Sequence, residues 1–168
     1  SISKWEMDSL CFYYNEHELA HVNRDKYKIS NFFELPEEPE IEQHMIFKNS
    51  TRPKFKLTGI VGTVIHKDKN KHTITLLTPE GVVIVKYYDG AFAHYNKNIS
   101  RIRPDGTKET LEKSWFTRGS LLYVQGYRRG SQFKPQKYND SFSQHTTLLI
   151  THIDKDGNLT VRDERVNL

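Results

Sequence analysis

Residues 13–22, YYNEHELAHV, contain His17-Glu18-Leu19-Ala20-His21, an H-E-x-x-H pattern. On a helix the two histidines stand one turn apart on the same face, placed to bind zinc, and Glu18 is placed to act as general base on a zinc-bound water. The surrounding sequence does not support that chemistry. Catalytic zinc needs a third protein ligand. The extended form of the motif calls for glycine and histidine where this chain has Arg24 and Tyr27. The motif begins at residue 17, which leaves no room here for a substrate-binding sheet before it, and no later helix offers a convincing carboxylate ligand. A zinc metallopeptidase stays a remote alternative, and His17, Glu18 and His21 read as helix-surface residues.

Other chemistry-bearing groups are scattered. His66, His72, His94, His145 and His152 show no ligand spacing, and a single cysteine, Cys11, rules out both an internal disulfide and a zinc site built from several cysteines. One cysteine agrees with a reducing, cytoplasmic location. The run Asp154-Lys155-Asp156-Gly157-Asn158 resembles the start of a calcium loop, but its glycine is misplaced and it reads as a turn. No Walker A, dinucleotide fingerprint or nucleophile elbow is present. No catalytic residue, metal site or cofactor is expected in this chain. No apolar run approaches membrane-spanning length.

The charge balance points elsewhere. The chain has 168 residues and a net charge of +4, but residues 1–47 carry four Lys+Arg against ten Asp+Glu, a net of −6. Residues 48–168 carry twenty-one against eleven, a net of +10. Aromatic content is 12%, and many rings sit beside basic residues. A basic module with interleaved aromatics suits a polyanion.

The elements that must position such residues follow from periodicity. SKWEMDSLCFYYNEHELAHV, residues 3–22, shows moderate helical spacing through Leu10, Tyr14 and Leu19. NFFELPEEPEIEQ, with Pro36, Pro39 and its glutamates, reads as an extended acidic linker. The division expected is 1–47, helical segment and linker, and 48–168, a nucleic-acid-binding domain. From Phe55 the period becomes two. FKLTGIVGTVIH is a long strand bent at Gly59 and Gly62, HTITLLT a second and VVIVKYY a third. DGAFAHYNKNI is a short helix, RIRPDGTKETLEKSW a hairpin with Pro104-Asp105-Gly106 at its tip, and GSLLYVQGYRRG a fourth strand. SQFKPQKYNDSFSQ reads as a long basic loop, HTTLLITHI as the fifth strand. This order predicts a mainly β chain: a five-stranded OB-fold, a Greek-key barrel with a short helix between strands 3 and 4.

Such a barrel binds oligonucleotides on the face of strands 2 and 3 and through its 1–2 and 4–5 loops. The candidate binding residues are therefore Lys67, Lys69 and Lys71 in the 1–2 loop, and Tyr127, Arg128, Arg129, Phe133, Lys134, Lys137 and Tyr138 around the 4–5 loop. The cations would neutralise phosphates, and the rings would stack on unpaired bases.

MDSLCFYYNEHEL, residues 7–19, resembles the E-x-x-L-G-x-Y-x-x-x-H-P-L segment of bacterial DNA polymerase III alpha subunits, the family C replicases. There it lies just before a C-terminal OB-fold. GIVGTVIHKDKNKHTITLLTPEGVVIVKYYDGAFAHY resembles the first three strands and helix of that domain, and RGSLLYVQGYRRG its fourth strand. Cys11 stands for the usual glycine, and Glu18 for the proline after the histidine, which is what completes the H-E-x-x-H pattern. The resemblance implies an excised, non-catalytic piece that holds single-stranded DNA template near the polymerase site. Its parent chain would be a DNA-directed DNA polymerase with its catalytic carboxylates upstream. It also implies replisome partners, the sliding clamp among them. QHMIF, residues 43–47, superficially resembles a clamp-binding peptide but falls after residues 7–19 rather than before them. Docking of Met45, Ile46 and Phe47 onto the barrel is the expectation. A second function class, a protein-interaction module for another replisome subunit, stays open.

Overall fold

Thr58–Asp68 (β3) is the longest strand, and its first half is buried on both faces. Strands buried that way need partners on both edges, and β3 has them. The computed structural model describes residues 19–47, 50–136 and 146–165, without the side chains of 43–54. Ahead of β3 lie the short helix α1 (Arg24–Tyr27), a 3-10 turn at Phe32–Glu34, and the hairpin β1 (Ile41–Phe47) and β2 (Ser50–Phe55). After β3 come β4 (Thr73–Thr78), β5 (Gly81–Lys86), α2 (Asp89–Asn96) and the ribbon β6 (Ile99–Ile102) and β7 (Lys108–Glu112). Then follow β8 (Leu121–Arg129), β9 (Gln132–Pro135), β10 (Thr147–Ile153) and β11 (Leu159–Arg162).

Five of these strands close on themselves. β3 pairs with β4, β4 with β5, and β5 runs parallel to β9. β9 pairs with β8, and β8 returns to β3. This is the OB-fold-like barrel that the sequence predicts, with α2 between its third and fourth strands. A register shift between Val64 and His66 bends β3 so that its two halves serve different partners. The interior holds Ile60, Val64, Ile74, Leu76, Val83, Val85, Leu122, Val124 and Phe133, and Tyr87, Phe92, Tyr95, Trp115 and Phe116 extend the same core beneath α2.

One strand differs from expectation. The fifth barrel strand is Gln132–Pro135, not HTTLLITHI. A four-residue strand ending in proline gives little periodic signal, so it reads as loop. Gly126 makes this closure possible. It stands opposite Pro135, and a Cβ there would lie 2.1 Å from the Lys134 carbonyl oxygen. HTTLLITHI instead supplies β10, a sixth strand on β8. The same edge of β8 pairs with β10 at Leu122–Val124 and with β9 from Gly126 onward.

The segment before the barrel is not a free linker. Leu19, Val22 and Ile29 are buried with Val61, Tyr123 and Ile150, and Phe32 enters the barrel core. Ile29 bridges Gly59 in parallel, with Gly59 N–H donating to Lys28 O and Ser30 N–H to Gly59 O. These bonds fill the edge of β3 that β4 leaves open. Residues 41–47, expected as extended linker, form β1 of a hairpin. Of the helix expected over residues 3–22 only 19–22 are described: Leu19 and Ala20 are helical, and His21 and Val22 are in a turn and bend.

Candidate nucleic-acid interface

Strand alternation sorts the barrel's side chains. On β5, Val83 and Val85 point inward, so Val82, Ile84 and Lys86 face out, and Tyr88 follows on the outer side, half exposed. On β8, Tyr127 and Arg129 lie beyond the buried Val124 and Gly126. These outward residues meet. The Tyr127 ring packs on Phe55 with centroids 4.8 Å apart. The Arg129 guanidinium sits over both rings, 5.4 Å from the Phe55 centroid and 5.8 Å from that of Tyr127. Burial pushes the Tyr127 hydroxyl above its ordinary value, the adjacent Tyr88 phenol adds to this, and Arg129 opposes it. Lys134 is the register partner of Tyr127, which puts it on the same face. Three rings, an exposed arginine and a lysine thus form one patch on the outside of the barrel.

The other expected binding residues are placed as follows. Phe133 is wholly buried in the barrel core and offers no face to a base; its expected stacking role is corrected by that burial. The 4–5 connection is not a long loop but the two-residue turn Gly130-Ser131, with Gly130 at φ +61°. Arg128 is held down rather than presented. Its Nη1 donates to Phe32 O (3.1 Å) and Leu35 O (3.0 Å), its Nε donates to Gly130 O (2.7 Å), and its guanidinium lies 4.4 Å from the Phe32 ring centroid. Lys137 and Tyr138 lie outside the described residues.

Lys69 and Lys71 are exposed in the turn between β3 and β4. Lys67 donates from Nζ to Asn96 Oδ1 at 2.7 Å, and partial burial, with the Lys69 charge adding, lowers its pKa. The register sets this lysine turn apart from the β8–β9 turn. Thr73 stands opposite Lys86, while Gln132 stands opposite Ile84. Ser131 is then level with Val83 and His72 with Tyr87, four residues or roughly 13 Å apart along β5 at about 3.3 Å per residue. The patch lies nearer the lysine turn than the β8–β9 turn does: one further step of the register puts Lys134 level with Lys86, the residue opposite Thr73, so patch and lysine turn flank the same end of β5.

Sequence reasoning passed over Phe55 and Tyr88. Tyr88 was within reach, because the alternation in VVIVKYYD puts Val83, Val85 and Tyr87 inside and Tyr88 outside. Phe55 belongs to the hairpin before the barrel, and no local pattern aims it at Tyr127. His21, the one described member of the H-E-x-x-H pattern, is exposed, and His17 and Glu18 lie outside the described residues. Among the described residues no three His, Cys, Asp or Glu side chains are grouped to hold a metal ion. No described helix is long and apolar enough to cross a membrane.

The class that fold and surface define is an OB-fold-like barrel with an aromatic, cationic outer patch. Over all 168 residues the chain is 49% identical to a protein of Bacillus subtilis (strain 168) named probable DNA polymerase YorL. It is likewise 49% identical over 168 residues to a protein of Bacillus phage SPbeta named DNA-directed DNA polymerase. The chain spans 13% of the length of each, so it is similar to one segment of proteins named as DNA polymerases. No protein-family model and no solved structure matches it.

Proposed function

We propose that the chain is a non-catalytic, single-stranded-DNA-binding module of a replicative DNA polymerase of the bacterial polymerase III alpha type, holding template strand beside a catalytic centre carried elsewhere in the parent protein. The observation that carries this reading is the Tyr88–Tyr127–Phe55–Arg129 cluster with Lys134 on the outer barrel face. Rings of this kind stack on unpaired bases whatever their sequence, at about 1–3 kcal/mol per base. Arg129 and Lys134 supply charge for the phosphates on either side. Similarity to a segment of proteins named DNA polymerases supports the replication setting.

The test is fluorescence anisotropy with a labelled thymidine oligonucleotide. If Arg129, Lys134 and one lysine of the β3–β4 turn each neutralise a phosphate, affinity falls about 20-fold between roughly 50 and 200 mM salt, from a slope near −0.7 per phosphate. Tyr127→Ala and Arg129→Glu should each weaken binding at least fivefold, and exposed Lys155→Glu on the β10–β11 turn should not. Salt-independent binding, or equal losses at all three positions, refutes the reading.

One contact favours a self-masking variant of the interaction-module reading. The Glu37 carbonyl accepts the Gly130 N–H, and its carboxylate lies 4.0 Å from Arg128. The acidic segment thus leans on the turn beside the patch. Glu37→Gln with Glu38→Gln should tighten DNA binding if that charge competes with phosphate; unchanged affinity rejects masking.

A further inference from the structure

The β6–β7 ribbon ends in a tip that joins neither core cluster. Ile102 is 77% exposed, the most exposed large apolar side chain among the described residues. It stands between exposed Arg101 and Arg103, and its register partner is exposed Lys108. Arg101 and Arg103 share one carboxylate, Glu109, at 2.8 and 3.8 Å, and with Lys108 and Asp105 counted the tip carries three cations against two carboxylates, a net of +1. A single exposed isoleucine is ordinary on a protein surface; what sets Ile102 apart is its place between two arginines and opposite a lysine at a hairpin tip.

The base of the ribbon is fixed. Glu112 accepts hydrogen bonds from Trp115 Nε1, Arg162 and Arg165. Ser114 N–H donates to Asn98 Oδ1 at 2.7 Å, and Ser114 Oγ donates to Asn96 Oδ1 at 3.2 Å. The same Asn96 oxygen takes the bond from Lys67, so the lysine turn lies at the end of the barrel from which the ribbon rises. Tyr88 is the N-cap of α2, and the ribbon starts just past that helix's C-cap, Lys97. Eight helical residues separate them, a rise of about 12 Å.

We propose that this ribbon is a contact for duplex DNA where it borders the single strand held on the aromatic patch. A two-stranded ribbon fits the major groove of B-form DNA, and apolar side chains of this kind press against base steps at duplex distortions. Arg101, Arg103 and Lys108 take phosphates, and Ile102 meets the terminal base pair. The rise of about 12 Å over α2 and the five residues from Lys97 to Ile102 at about 3.3 Å each put the tip at most roughly 28 Å from Tyr88, about eight base steps at about 3.4 Å, which one strand can bridge. The inference rests on the single-strand reading and names the second half of the same substrate, a primer–template junction.

The full chain is titrated with a labelled single strand and with the same strand annealed to a shorter complement that leaves a 5′ overhang. The junction should bind about tenfold tighter than the strand alone, the yield of two or three added phosphate contacts. Arg101→Ala combined with Ile102→Ser and Arg103→Ala should erase that advantage and leave single-strand affinity and melting temperature unchanged. Lys108→Glu is the independent check at the tip. Single-strand binding without a junction advantage overturns this inference alone, whereas binding of neither probe overturns the single-strand reading and this one with it. Losses equal on both probes, or a dimer in sedimentation that Ile102→Asp dissociates, also refute it, the latter assigning the ribbon to self-association.

Discussion

Arg165 is the side chain whose loss should cost the fold most per atom removed. It is 2% exposed and pairs with Glu112, which is 8% exposed. Its guanidinium also donates to the carbonyls of His94 (3.0 Å), Tyr95 (2.8 Å), Lys97 (2.7 Å) and Lys113 (3.3 Å). Three of these carbonyls belong to the C-terminal end of α2, which has no helical donor of its own to offer them. Arg165→Leu leaves these four carbonyls without the guanidinium donor and Glu112 with only Arg162 and Trp115 Nε1 as partners among the described residues. Removing one partner of a buried pair costs about 3–5 kcal/mol. At 2–4 °C per kcal/mol for a chain of this size, a loss of ~4 kcal/mol lowers the melting temperature by roughly 8–16 °C. Arg162 bonds the same carboxylate but is 37% exposed, so Arg162→Leu should cost about 1 kcal/mol or less. Urea unfolding followed by tryptophan fluorescence reads the difference directly. Trp115 stacks on Tyr95 at 5.5 Å, with the Arg165 guanidinium 5.5 Å from its ring. Equal losses at the two arginines, or a loss under about 1 kcal/mol at Arg165, would refute the assignment of Arg165 as the hub.

The same carboxylate sets an acid limit. Burial by itself would raise the Glu112 pKa, but the hydrogen bonds and charges of Arg162 and Arg165 outweigh it and hold the pKa below its ordinary 4.5. A depressed folded value means stability that is full above 4.5 and is lost as pH falls through the folded value, so Glu112→Gln should flatten the acid limb of a stability-against-pH curve. Gly126→Ala should destabilise by at least about 3 kcal/mol in urea titration, because its Cβ meets backbone that cannot yield without opening the β8–β9 pairing. Thr63 is fully buried, and its Oγ1 has no hydrogen-bond partner among the described residues, so Thr63→Val should stabilise by about 1 kcal/mol in the same assay.

The barrel was legible because its parts carry their own signals. The alternation in HTITLLT and VVIVKYY, the paired glycines of β3 and the short helix after Tyr88 each constrain the chain locally, and their order admits few topologies. The closing strand was not legible, since Gln132–Pro135 is recognisable only from what stands on either side of it. The candidate surface divided along the same line. Tyr127, Arg129 and Lys134 share a face because strands alternate. Arg128 and Phe133, equally suggestive in sequence, were claimed by Phe32, 96 residues away, and by the barrel interior, where Phe133 stands beside Val85 from the third barrel strand. A basic or aromatic residue announces what it can do, while only the fold says whether it is free to do it.

Ile29, wedged along the open edge of β3, makes the stretch from Leu19 to Glu37 behave as a belt buckled into the barrel. Its buckle is Arg128, next in the chain to the arginine that caps the ring cluster. Slackening the belt at Phe32 or Leu35 would release the Arg128 guanidinium from the two carbonyls that hold it. A segment outside the barrel thus holds a barrel arginine in place across 96 residues of chain.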